Sequence, residues 1–251
     1  MVHFKRPPGP LNVWNVVDGF EVLEDGTKKP VKFSIQEVPN TPEHRQEVIN
    51  LLCDHFLDDE AMCRCLKLKK DPDGVDDFKT MWNYGMDQEV TVGCYKLDSE
   101  GKIGELVGVN VVFMVTDETS NDFAKFKAAF KSDNFLTIWK FFESLLQKCD
   151  VKKIYNVDKY ISSICLCVNP TYRGQKLGFY MLDARKEMAK KYQYTATCTM
   201  FTVPTSQKQA KRAGFEDGIV IHYNDALDDK GNPIFPNIES SCVKLMMRRL
   251  P

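Results

Sequence analysis

Apolar and polar residues alternate from Pro30 to Gln36, with Val31, Phe33 and Ile35 set against Lys32, Ser34 and Gln36. That is the period of a half-buried strand. Val48, Leu51, Leu52 and Phe56 instead recur at helical spacing behind Thr41-Pro42-Glu43. A hydroxyl at the cap and a proline at the first helical position predict that this helix begins there. Asp71-Pro72-Asp73-Gly74 breaks the chain, and 75–86 is weakly helical. Apolar runs over Glu89–Leu97 and Ile103–Val115 flank Asp98-Ser99-Glu100-Gly101-Lys102 and predict a hairpin. Residues 119–150 read as a helical insert of two short helices with exposed lysines. A strand over 160–168, a helix over 176–192, a strand over Thr195–Phe201, a helix over 205–213 and two terminal strands follow, the last over Cys242–Met247. Residues 1–30, punctuated by Pro and Gly, read as an extended N-terminal arm or an early strand pair. Hairpins followed by strand–helix–strand units predict a single α/β or α+β domain over residues 1–251 around one twisted sheet.

Composition narrows the function classes. A hydrophobic content of 43% supplies an ordinary core, and a net charge of −1 excludes the basic excess of a nucleic-acid binder. No apolar run approaches the roughly 18–20 residues of a membrane span. The start, Met1 to Pro8, lacks the apolar core of a signal peptide. Nine cysteines, an odd count at irregular spacing, make a poor disulfide framework. Cys63/Cys65 and Cys165/Cys167 are Cys-x-Cys pairs with no partner at zinc-ligand spacing. Cys165 and Cys167, alternating along a strand, are expected on opposite faces of the sheet. The thiols therefore read as reduced, buried, small apolar groups in a reducing compartment. The expectation is a cytoplasmic protein with no metal and no membrane partner, as a monomer or weak dimer. The histidines His3, His44, His55 and His222 fall in no metal pair or triad motif.

Candidate chemistry concentrates at residues 162–178. The strand ends at Leu166, Cys167 and Val168, Asn169-Pro170-Thr171 breaks it, and Arg173-Gly174-Gln175-Lys176-Leu177-Gly178 opens a helix. A strand that runs through a glycine turn into a helix start gathers free N–H groups and a positive dipole end at one spot. Arg173 and Lys176 add charge there. The spacing fits neither the nucleoside-triphosphate loop nor the dinucleotide fingerprint. On pattern alone, a phosphate cradle and a plain solvated turn both remain open.

This segment resembles the coenzyme-A motif of the GNAT superfamily of N-acetyltransferases, Gln/Arg-x-x-Gly-x-Gly/Ala, with Arg173 and Gly178 at its ends and Lys176 in place of the middle glycine. Two further segments are similar to the insect arylalkylamine N-acetyltransferase branch. His55-Phe56-Leu57-Asp58-Asp59-Glu60-Ala61-Met62 resembles its Phe-x-x-Asp-Glu-Pro-Leu signature, with Ala61 for Pro. Phe201-Thr202-Val203-Pro204-Thr205-Ser206, running to Gly214-Phe215, resembles its Ser-x-x-x-Ser and Gly-Phe helix. The tail, His222-Tyr223-Asn224-Asp225 then Gly231-Asn232-Pro233-Ile234-Phe235, also fits. The resemblance implies the acetyltransferase fold, a mixed sheet of about seven strands splayed to admit the cofactor. It implies acetyl-CoA as co-substrate, held by Leu166–Val168 and Arg173–Gly178, and a small primary amine as acceptor.

Acetyl transfer needs a neutral amine, a polarised carbonyl and a proton for the leaving thiolate. Glu60 stands at the family's catalytic glutamate, and Asp58 and Asp59 beside it are expected to favour its protonated form by repulsion. The superfamily's common tyrosine acid is replaced by Ala210, which leaves Ser206 and Thr202, at the branch's two serines, as the hydroxyl pair. Helix capping explains Thr205 or Ser206 equally well. Phe56, Phe78, Trp82 and Tyr84 fit either an acceptor pocket or the core. No cysteine has an activated setting, so direct transfer in a ternary complex is expected. A polyamine or protein-lysine acetyltransferase and a catalytically impaired coenzyme-A-binding module are the alternatives.

Overall fold

The computed structural model describes residues 4–251 apart from the side chain of Ser120. Met1, Val2 and His3, the start of the expected arm, lie outside the described residues. Residues 13–22 and 28–30 of that arm are sheet. β1 (Val13–Val22) pairs antiparallel with β2 (Lys28–Glu37) at one edge. Only Val17 of β1 is buried, so no alternation marked it as a strand. The residues ahead of it are bonded down as well. The buried Glu37 carboxylate accepts from Arg6 Nε (2.6 Å), Asn12 N–H (2.8 Å), Asn12 Nδ2 (2.9 Å) and the Tyr192 hydroxyl.

α1 (Pro42–Leu51) starts as expected, with Thr41 accepting from His44 N–H. It runs into a π-helical turn over Leu52–Phe56, a short α2 (Leu57–Asp59), a break at Glu60 and α3 (Ala61–Cys65). α4 (Pro72–Asp87) is firmer than its weak periodicity implied, because Asp71 caps it and Phe78, Met81 and Trp82 bury one face. β3 (Val92–Leu97) and β4 (Ile103–Val115) form the expected hairpin. α5 (Thr119–Ala129) and α6 (Asp133–Lys148) form the two-helix segment. Asp71 accepts from Ser132 Oγ (2.6 Å), and Asp77 accepts from the N–H of Ser132 (2.9 Å), fixing the segment to α4. α7 (Val151–Tyr155) leads into β5 (Tyr160–Val168). The expected 176–192 helix is divided at Ala184 into α8 (Leu177–Asp183) and α9 (Arg185–Tyr192). β6 (Ala196–Phe201), α10 (Pro204–Arg212), β7 (Glu216–His222) and β8 (Cys242–Arg249) complete the chain.

The sheet has eight strands in the order β1-β2-β3-β4-β5-β6-β8-β7, one more than expected, the edge strand β1 being among them. Neighbours pair antiparallel except β5 and β6. α1, α4 and α6 bury one face, and α8 and α9 the other. Phe56, Phe78, Trp82 and Tyr84 are all buried, and the first three pack edge to face or tilted in one cluster. Cys165 and Cys167 share one face and one core cluster, contrary to the expectation, since residues two apart on a strand point the same way. All nine cysteines are free thiols. Among the described residues, no helix is long and apolar enough to cross a membrane, and no group of His, Cys, Asp or Glu could hold a metal ion.

Candidate active site

β5 and β6 run parallel but share a single paired position, Ile161 with Thr197. Beyond it each strand pairs only with its other neighbour, β4 or β8. The two strands therefore form a fork whose mouth lies at their C-terminal ends, where open sheets admit ligands. α8 and α10 flank that mouth. A Cβ built on Gly178 would stand 3.4 Å from Leu166 Cδ2 and 3.9 Å from Gln209 Cγ.

The loop into α8 suits an anion. Among the described residues, the N–H groups of residues 174–179 make no hydrogen bond to protein, and the first to do so is Tyr180, to the Lys176 carbonyl (3.2 Å). Gly174 turns at φ +83 with open space where a side chain would stand. Lys176 adopts φ 63, a left-handed conformation, and is exposed. The other side chains of the motif are engaged elsewhere. Gln175 clamps β1, accepting from Phe20 N–H (2.6 Å) and donating to the Phe20 carbonyl (2.9 Å). Arg173 Nε donates to the Val168 carbonyl (3.0 Å), and its guanidinium pairs with Asp59. Leu177 and Cys167 are buried in the two cores. A phosphate would therefore meet backbone N–H groups and the Lys176 ammonium before any other side chain, and these residues fit the pyrophosphate of coenzyme A.

Glu60 sits at the break after α2, one short helix beyond the π-helical turn, a wide turn frequent at functional sites. Its backbone is extended (φ −70, ψ 126), and its Oε2 caps α3 by accepting from Cys63 N–H (2.7 Å). Its Oε1 is buried and has no hydrogen-bond partner among the described residues. The two neighbouring acids do not act as free like charges. Asp58 pairs with Lys69 and Asp59 with Arg173, so the repulsion expected from them is offset by cations. The Asp59 pair also ties the Glu60 segment to the mouth of the fork.

Tyr223 had stood out only as part of the tail pattern, yet it links the two halves of the site. Its ring packs against Phe141 and Phe235, and its hydroxyl donates to the Thr202 carbonyl (3.3 Å). Burial first, then the nearby Glu60 carboxylate, pushes its phenol up from the usual tyrosine range. No periodicity signals this contact, because it joins residues far apart in sequence. Ser240 Oγ also donates to the Thr202 carbonyl (2.8 Å). Ser206 Oγ donates to the Val203 carbonyl (2.9 Å), and α10 has no side-chain cap, so the capping role of Thr205 or Ser206 is not realised. The tail loop closes over α3 through Arg64–Glu239 (2.6 Å) and Cys65 Sγ to the Pro236 carbonyl (3.3 Å).

No protein-family model matches the chain, and no curated protein sequence matches it. Solved structures do. The chain is similar to a protein of the yellow fever mosquito Aedes aegypti assigned as arylalkylamine N-acetyltransferase 7, with TM-score 0.85 and 27% identity over 99% of both chains. It is similar to arylalkylamine N-acetyltransferase 2 of Aedes aegypti, with TM-score 0.76 and 20% identity over 87% of this chain and 99% of that one. It is also similar to mosquito arylalkylamine N-acetyltransferase like 5b, with TM-score 0.72 and 21% identity over 87% of this chain and all of that one (100%). The last two likenesses show the fold, and the first extends through the whole length of both chains.

Proposed function

We propose that this chain, an arylalkylamine N-acetyltransferase-like acyltransferase with the GNAT fold, moves an acetyl group from acetyl-CoA to a small primary amine by direct transfer in a ternary complex. The observation that carries the reading is the fork, two parallel strands joined at Ile161 and Thr197 only, with unbonded N–H groups at its mouth. Acetyl-CoA supplies a thioester, whose acetyl carbon an amine nitrogen can attack. The N–H groups of residues 174–179 hold the pyrophosphate, with Lys176 adding charge. Leu166, Cys167 and Val168 offer a strand edge that β6 leaves free for the pantetheine amides.

Glu60 takes the proton of the incoming ammonium at Oε1, while Cys63 N–H holds Oε2 and fixes the carboxylate. After the C–N bond forms and the C–S bond breaks, Thr202 and Ser206 relay the second proton lost by the nitrogen to the leaving thiolate. Tyr223 and Ser240 hold the Thr202 carbonyl in place. The nine free thiols support a reducing compartment such as the cytoplasm.

The test mixes the purified protein with acetyl-CoA and a panel of amines, reading thiol release and product mass. Turnover highest on arylalkylamines supports the proposal. Turnover highest on polyamines or lysine peptides reassigns the acceptor. Tight acetyl-CoA binding without turnover on any amine would leave a coenzyme-A-binding module.

A further inference from the structure

Arg185, the first residue of α9, is 1% exposed, and among the described residues no carboxylate pairs with it. Burying an uncompensated guanidinium is costly, so its placement calls for an explanation beyond packing. Its Nη1 donates to Thr197 Oγ1 (2.9 Å) and Thr199 Oγ1 (2.8 Å) on β6. Its Nη2 donates to Asn110 Oδ1 on β4 at 3.2 Å, with the Asn110 amide turned so that its nitrogen meets Ser163 Oγ (2.5 Å) and the Cys165 carbonyl (3.0 Å) on β5. Thr197 Oγ1 in turn donates to the Ile161 carbonyl (2.8 Å).

These contacts converge at the base of the fork. Ile161 and Thr197 are the one paired position of β5 and β6, and β5 bulges against β4 between Ser163 and Cys165. Above that point the ladder that would join β5 to β6 is missing, and the guanidinium spans β4 and β6 instead. We infer that Arg185 is a positioning residue that sets the opening of the fork, holding β6 at a fixed offset from β5 so that the cofactor arm can enter. Burial holds its pKa down to about 9, yet below that value the cation persists and the three hydrogen bonds donated by Nη1 and Nη2 are charge-assisted. The inference rests on the reading that acetyl-CoA occupies the fork.

Two variants test it, Thr199→Val, which removes one acceptor and leaves the guanidinium in place, and Arg185→Lys, which keeps the charge and loses the planar span. Titration calorimetry should show acetyl-CoA affinity falling at least about tenfold in Thr199→Val, the scale of one charge-assisted hydrogen bond. The KM for the amine should stay within about twofold of wild type. Hydrogen exchange read without cofactor should rise over residues 163–168 and 197–201 and stay unchanged over β1–β3. A folded Thr199→Val protein with wild-type acetyl-CoA affinity and wild-type exchange would overturn the inference. If Arg185→Lys does not fold, Thr199→Val carries the test alone. A wild-type protein that fails to bind acetyl-CoA would fault the proposed function, and the exchange pattern would still decide the role of Arg185.

Discussion

Replacing Glu60 by Gln separates the two jobs its carboxylate does. Oε2 accepts from Cys63 N–H at 2.7 Å and caps α3, whereas Oε1 is buried without a partner. A Gln side chain of the same shape keeps an acceptor for the cap. Its amide then stands where Oε1 stood, leaving a donor unsatisfied at about 1–3 kcal/mol. Glu60→Ala removes the cap as well, worth about 0.5–2 kcal/mol in other helices. At about 2–4 °C per kcal/mol for a chain of this size, both variants should melt within about 12 °C of wild type. The catalytic loss should be far larger. A general base contributes about 10²–10⁴-fold, which is about 3–5 kcal/mol of barrier, and Gln cannot take a proton. Thiol release under saturating acetyl-CoA gives kcat/KM, and calorimetry gives cofactor affinity, which should hold because the cradle lies at the start of α8. The acidic limb of the kcat/KM profile should flatten in Glu60→Gln. A stable Glu60→Gln protein with near-normal kcat/KM and an unchanged acidic limb would refute Glu60 as the base.

Gly178→Val, which projects methyl groups between Leu166 and Gln209, should weaken acetyl-CoA binding more than Lys176→Gly in calorimetry, because backbone N–H groups dominate the cradle. Lys176→Gly should also raise the melting temperature slightly, since relief of a left-handed non-glycine residue is worth about 1–2 kcal/mol. Glu37→Gln leaves the buried Arg6 guanidinium without its counter-charge, and chemical denaturation should show a loss of about 3–5 kcal/mol. Alkaline pH should unfold the protein early. Burial pushes the Cys94 and Cys167 thiols and the Tyr84 and Tyr194 phenols up to about 12, so their contribution is intact below the unfolded pKa values and is lost as pH rises through the folded ones. Equilibrium denaturation from pH 8 upward should show stability falling across about pH 9–12.

The elements that sequence made legible are those whose signals are local. Thr41-Pro42 marked the start of α1 by cap chemistry, and β5 followed from an apolar run closed by Asn169-Pro170. β1 was legible only as half of an early strand pair that stood beside the reading of an extended arm, because its stability comes from partners remote in sequence. Half of its residues are exposed and one is buried, while Gln175 and Glu37 bond to it and to the segment before it from elsewhere in the fold. α4 and α6 were underrated for a related reason, since Asp71 and Asp77 reach across to the loop before α6 and no window of sequence contains both ends of those bonds. Arg185 did leave a trace. It precedes Met188, Ala189 and Tyr192 at spacings of three, four and seven, which places a cation on the core-facing stripe of α9.

The site shows the same division between what a motif fixes and what the fold decides. Arg-x-x-x-x-Gly locates the loop of unbonded N–H groups before α8, because a glycine turn before a helix frees N–H groups wherever it occurs. It does not say where the Arg173 side chain goes, and that side chain turns back to Val168 and across to Asp59. Both partners of the Asp59 pair are more than two-fifths exposed, so the pair adds little to stability. Its consequence is positional. It holds the segment that carries Glu60 against the loop that opens α8. A calculation from the Asp58-Asp59-Glu60 run alone would count three repelling acids, whereas the folded chain gives the first two cations of their own and leaves Glu60 Oε1 as the oxygen without a partner.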